Sequence, residues 1–118
     1  MKIILDTNFL MAVAQFKIDV FAQLRGHELC TANTVILELK KQAEGASKDS
    51  RAARLALELV RTKRLKILKS KEKNTDRSLL AYSKMGYAIA TQDRALRERI
   101  ESAGGRQIYI RQKRYVII

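Results

Sequence analysis

The 118-residue chain has no proline, one cysteine, one histidine and five glycines. Cys30 has no partner for an internal disulfide, and with His27 alone beside it there is no Cys/His set at zinc spacing. Within ELCTA, Cys30 reads as a small core residue and His27 as a surface one. No stretch of 18 or more apolar residues exists, and a single Lys before ILD with no small-residue cleavage site does not make a signal peptide. A cytoplasmic protein is expected. Glycine is too sparse for the phosphate cradles of nucleotide folds: no GxGxxG follows the first apolar run, and there is no Gly-rich lysine loop. Acidic residues are scarce too, 12 against 24 Lys and Arg, for a net charge of +12.

Such an excess favours a polyanionic partner through steering and counterion release. The basic residues are unevenly placed. Arg61, Lys63, Arg64, Lys66, Lys69, Lys71, Lys73 and Arg77 fall in one run, opposed there only by Glu72 and Asp76. A solvated basic face explains that run as well as a binding surface does.

The length predicts one domain over residues 1–118, and the pattern along it alternates. Short apolar strands are expected at Lys2 to Leu5, Glu28 to Ala32, Leu65 to Leu68, Tyr87 to Ala90 and Gln107 to Ile110, with a terminal edge strand from Tyr115 to Ile118. Helices fall between them. Asn8 to Phe16 continues from the first strand. Asp19 is the expected cap of Val20 to Arg25, and Asn33 or Thr34 that of the helix through Val35, Ile36, Leu39 and Ala43. Ser47 or Asp49 starts a helix whose apolar stripe runs through Ala52, Leu55, Ala56, Leu59 and Val60. Asn74 to Met85 and Arg94 to Ala103 complete the set. Nearly all-apolar strands alternating with helices predict an α/β fold: a three-layer α/β/α sandwich around a central parallel sheet of about five strands.

In such sheets ligands bind beyond the carboxyl ends of the strands, where strand order reverses. In "ILDTNFL" Asp6 ends the first strand, and in "AIATQD" Thr91 and Asp93 follow the fourth. If these strands are neighbours, Asp6 and Asp93 face each other. Asp76, opening the helix before strand four, and Glu38, on the edge of the helix after strand two, can reach the same end. Each has a plainer explanation: Asp6 or Thr91 as helix caps, Asp93 and Asp76 as first-turn acids favoured by the helix dipole, Glu38 as a surface residue near Lys41 and Gln42. Convergence weighs against these. Four of only 12 acids at one end of a sheet repel one another unless a cation or a proton offsets them. Hard divalent cations take oxygen ligands, so an acidic pocket on a basic protein suggests a metal held against a phosphodiester.

At these residues the chain resembles the PIN-domain nucleases. The resemblance rests on "ILDTNFL", "VILELKK", "NTDRSLLAYSKMGYAIATQDRALRERI" and "IYIRQKRYVI", spans essentially the whole chain, and looks closest to the archaeal and eukaryotic group acting in small-subunit ribosomal RNA maturation. It implies the strand order 3-2-1-4-5, and an endoribonuclease in which Asp6, Glu38, Asp76 and Asp93 hold Mg²⁺ or Mn²⁺, with Asn8 and Thr91 supporting them. Many members of that group carry a second acid just before the position of Asp76; here Thr75 stands there. RNA, with precursor ribosomal RNA foremost, is the implied substrate, and a homodimer and ribosome-assembly proteins are the implied partners. The competing readings are a toxin ribonuclease of the VapC kind with a cognate antitoxin, and a non-catalytic RNA-binding assembly factor. By nearness to the motifs, Arg77, Arg94, Arg97, Lys113 and Arg114 are the candidate RNA contacts, and Tyr82 and Tyr115 could stack on unpaired bases.

Overall fold

The computed structural model describes residues 1–118. In chain order the elements are β1 (Lys2–Leu5), α1 (Thr7–Phe16), α2 (Val20–Gln23), β2 (Glu28–Ala32), α3 (Asn33–Ala43), α4 (Lys48–Thr62), β3 (Lys66–Leu68), α5 (Thr75–Lys84), β4 (Ala88–Ala90), α6 (Arg94–Ser102), β5 (Gln107–Arg111) and β6 (Tyr115–Ile117). The sheet order is β3-β2-β1-β4-β5-β6. The first five strands are parallel and β6 returns antiparallel to β5. The expected 3-2-1-4-5 core is therefore present, extended by one edge strand.

Crossovers of one hand place helices on both faces, because the chain moves outward from β1 to β3 on one side of the sheet and then from β4 to β5 on the other. Accordingly α1, α3 and α4 pack together on one face and α5 and α6 on the other. Burial on both sides explains why Ile3, Ile4, Leu5, Ile89, Ala90 and Ile108 are all inaccessible to solvent with no polar alternation. No helix is long and apolar enough to cross a membrane.

Two expectations are corrected locally. Neither Asn33 nor Thr34 caps α3: Ala32 takes that position with no side-chain bond. Asn33 instead reaches sideways to the segment after β3, accepting from Ser70 N–H at 3.0 Å and donating to Ser70 O at 3.4 Å. Leu55, placed on the buried stripe of α4, is about half exposed. Small alanines, Ala52, Ala53 and Ala56, bring α4 down onto its neighbours, and Leu55 is left on the rim of an apolar groove with Val13, Ile18 and Phe21.

Register positions the site. Leu5 pairs with Ala90 and Ala32 with Leu68, so the connections after β1, β2, β3 and β4 all leave the same edge of the sheet.

Candidate active site

The ladder between β1 and β4 continues one bond past Leu5, with Asp6 N–H donating to Ala90 O at 2.9 Å. There the backbone turns into α1 and Asp6 becomes its N-cap, its Oδ1 accepting from Thr7 N–H at 2.7 Å. Its Oδ2 accepts from the Thr91 hydroxyl at 2.7 Å. Asp6 is only 4% exposed. Burial pushes its pKa from 3.8 up to about 6; the hydrogen bonds from Thr91 and Thr7 pull the other way, and the neighbouring Glu38 and Asp76 charges push it further up. Capping and ligation are compatible roles, since each carboxylate oxygen has two lone pairs.

Thr91 organises the other side. Its hydroxyl has one proton and two acceptors in range, Asp6 Oδ2 and, at 3.2 Å, Asn8 Oδ1; the shorter contact is to the charged group. The same oxygen accepts from Asp93 N–H at 3.1 Å, and Asn8 Oδ1 accepts from Gln92 N–H at 2.9 Å. Asp93, rather than Thr91, caps α6, with Oδ1 accepting from Leu96 N–H at 3.1 Å. Glu38 is held from α1 by a short bond donated by the Thr7 hydroxyl to Oε1. Asp76 is half-buried in the first turn of α5. Its pKa is raised by burial first, then by Asp93 and Glu38, with Arg99 offsetting part.

Asp6, Glu38, Asp76 and Asp93 line one cavity of about 900 Å³, together with Thr7, Asn8 and Gln92. Its floor and wall come from Met11, Ala12, Gln15 and Phe16 of α1, Lys41 and Gln42 of α3, and Asp49 of α4. The two ion pairs in the molecule, Arg61 with Glu58 and Arg94 with Glu98, both lie elsewhere, so none of the cavity acids is paired. Thr7 and Asp49 are the additions that sequence reasoning missed. Thr7 stands inside the first motif, but nothing in the sequence says its hydroxyl reaches helix α3. Asp49 looked only like a helix start. His27 lies at the opposite edge, beside β2's first residue, with Nδ1 2.9 Å from the N-terminal amine.

A PIN like domain family model matches residues 3–113. The chain belongs to the PIN-like domain family. Two solved structures share the fold. A domain of a functionally unknown protein from Methanocaldococcus jannaschii superposes with a TM-score of 0.68 at 15% identity, over 93% of this chain and 91% of that one. VapBC-1 from nontypeable Haemophilus influenzae superposes with a TM-score of 0.64 at 17% identity, over 91% and 96% respectively. No curated protein matches the chain.

PIN-like nucleases generally use divalent metals, and the donor set of this PIN-like domain suits a hard cation. Every candidate ligand is a carboxylate oxygen, the charges are uncompensated, and burial first, then the neighbouring acids, raises Asp6 and Asp76. No three of the acids approach closely enough to form a compact ligand set by themselves.

The five basic candidates have different surroundings in this PIN-like domain. Arg77 is exposed beside Asp76. Arg94 is exposed and paired with Glu98 at 3.2 Å. Arg97 is half-buried with its guanidinium 4.2 Å from the Tyr109 ring centroid, a packing role on the α6 side of β5. Lys113 stands 4.7 Å from the centroid of Phe16, which lines the cavity, and exposed Arg114 is its neighbour in the β5–β6 turn. Tyr82 is committed to structure: its hydroxyl donates to Lys69 O at 2.7 Å and its ring meets Tyr87 edge-on at 5.4 Å. Tyr115 is exposed.

Proposed function

We propose that the chain, as one PIN-like domain over residues 1–118, is a divalent-metal-dependent endoribonuclease that hydrolyses phosphodiester bonds in RNA. One observation carries the reading: four unpaired carboxylates share a cavity around buried Asp6 in a protein whose net charge is +12. Asp6 and Asp93 would hold Mg²⁺ or Mn²⁺, with Asp76 and Glu38 binding directly or through water. The chemistry such an ion supplies when bound is polarisation of a phosphoryl oxygen and activation of a water for in-line attack. The chain's own residues do the rest. Thr91 and Thr7 N–H fix both oxygens of Asp6, the Thr7 hydroxyl orients Glu38, Asn8 ties α1 to the Gln92 turn, and the burial of Asp6 strengthens its field at the phosphate. Thr75, where many members of the resembling group carry a second acid, trims the negative charge beside Asp76 and would weaken a second metal position while leaving the first.

Ribosomal RNA processing is the role we assign first, on the sequence resemblance. A toxin ribonuclease is the second reading, supported by the similarity in fold to VapBC-1, and it requires an antitoxin. A non-catalytic RNA-binding factor is the third. The deciding experiment incubates purified protein with end-labelled structured precursor RNA in EDTA, then adds Mg²⁺ or Mn²⁺. Metal-dependent cleavage that Asp6→Asn abolishes, with RNA binding kept, supports a nuclease; binding without cleavage in the wild type leaves only the third reading. Growth arrest on expression, relieved by the product of an adjacent reading frame, selects the toxin.

A further inference from the structure

The basic run from Arg61 to Arg77 spans β3, and the part of it that follows Leu68 leaves the sheet at the same edge as Asp6. Leu68 is in register with Ala32, and the six residues 69–74 run from there to the cap of α5, two positions before Asp76. They form no helix or strand, but they are firmly tied. Lys69 O accepts from Tyr82, Ser70 is clasped by Asn33 through both its N–H and its C=O, and Asn74 Oδ1 accepts from Arg77 N–H at 3.0 Å. Between these anchors Lys69, Lys71 and Lys73 are exposed, and none makes an ion pair or a side-chain hydrogen bond. Three cations, with Glu72 exposed among them, are thus carried on an anchored backbone that leads into α5, whose Asp76 lines the negatively charged cavity. None of the three is neutralised by an ion pair, so all three remain available to a polyanion that reaches those acids.

We propose that the β3–α5 connection is the rim on which the substrate's sugar–phosphate backbone lies as it enters the carboxylate cavity, with Lys69, Lys71 and Lys73 as its phosphate contacts. This deepens the nuclease reading and rests on it. The anchoring bonds are what make the contact productive, because cations on a fixed backbone lose less freedom on binding than cations on a mobile loop.

The test compares two triple variants with equal loss of charge. One is Lys69→Ala, Lys71→Ala, Lys73→Ala. The other is Arg25→Ala, Lys84→Ala, Arg106→Ala, all exposed and all at the opposite edge, where residues lead into β2, β4 and β5. Binding of a fluorescein-labelled single-stranded RNA is followed by anisotropy in EDTA across a salt series, after melting curves show both variants folded. Each phosphate contact on a single strand adds about 0.7 to the slope of log K against log salt, so the rim variant should lose about 2 from that slope and the control much less. With Mg²⁺ or Mn²⁺ the rim variant should raise KM and leave kcat unchanged. Equal slopes for the two variants, with wild-type cleavage intact, overturn the rim and spare the nuclease reading. A wild-type chain that neither binds nor cuts RNA overturns both.

Discussion

The Thr91 hydroxyl donates to Asp6 Oδ2 at 2.7 Å across 85 positions of sequence, joining the ends of β1 and β4 in the middle of the sheet. The bond satisfies the deepest carboxylate in the cavity and at the same time anchors Asp93, whose N–H donates to the Thr91 oxygen.

Thr91→Val keeps the shape and removes the hydroxyl. It strands Asp6 Oδ2 and the Asp93 N–H, a loss of about 1–3 kcal/mol for groups left unsatisfied on burial. Affinity for Mn²⁺ by titration calorimetry should fall about 10–100-fold, the usual effect of losing a partner that orients a ligand. Thr91→Ser, which restores the oxygen, should recover most of it. A Thr91→Val protein with wild-type Mn²⁺ affinity would remove Thr91 from the site.

Asp6 makes stability depend on pH in an unusual direction. Its carboxyl titrates near 6 in the folded chain against 3.8 ordinarily, so the folded state binds the extra proton between those values. Without divalent metal, this contribution is fully present below the unfolded value and is lost as pH rises through about 6, on the order of 3 kcal/mol in all. Burial raises Asp76 too, which adds in the same direction. In EDTA, the difference in melting temperature between Asp6→Asn and wild type should therefore grow in favour of the variant from about pH 4 to pH 7. Mg²⁺ or Mn²⁺ should narrow that difference at pH 7 by binding the ionised form. A difference independent of pH would contradict the raised pKa.

Gly105 packs where α5, α6 and β5 meet. A Cβ there would lie 2.1 Å from Ser83 Oγ and 2.9 Å from Ile100 Cγ2. Gly105→Ala should destabilise by about 1–3 kcal/mol in urea melts, the usual cost of overpacking. Adding Ser83→Ala should return part of that loss by removing the nearer atom, giving a measurable coupling energy. Strict additivity of the two would place the strain elsewhere.

The Gln23 side chain clamps β6, donating to Arg114 O at 2.9 Å and accepting from Val116 N–H at 2.8 Å. Gln23→Ala should cost roughly 1–2 kcal/mol for two hydrogen bonds and speed amide exchange in β6, with little change in β1 or β4. Unchanged exchange at Val116 would show that β5 alone holds the edge.

Much of the fold was legible because its determinants are local. The Lys2 to Leu5 strand, the helix starts at Asp19 and Ser47, and the alternation that makes a parallel sheet all depend on neighbours within a few residues. Asp6 and Asp93 were legible for a related reason: a charge that closely follows an apolar strand falls at the sheet's carboxyl edge, whereas Asp76 and Glu38 lie on helices and were legible as acids that could reach that edge. What failed was non-local. Asn33 is a good cap by type, but Ser70, 37 positions away, offers it two bonds at once. Leu55 obeys helical periodicity yet stays half exposed, because the width of the buried stripe is set by which helices pack against α4.

The sequence by itself determined the strands, the helices, the family resemblance and which residues could carry charge at the sheet's end. Only the tertiary structure decided that Thr91 satisfies Asp6, that Thr7 holds Glu38 and that Asp49 joins the cavity. Periodicity and capping act within a few residues along the chain. Burial, charge repulsion and hydrogen bonding between strands act through space, between residues that the chain brings together only when the sheet closes.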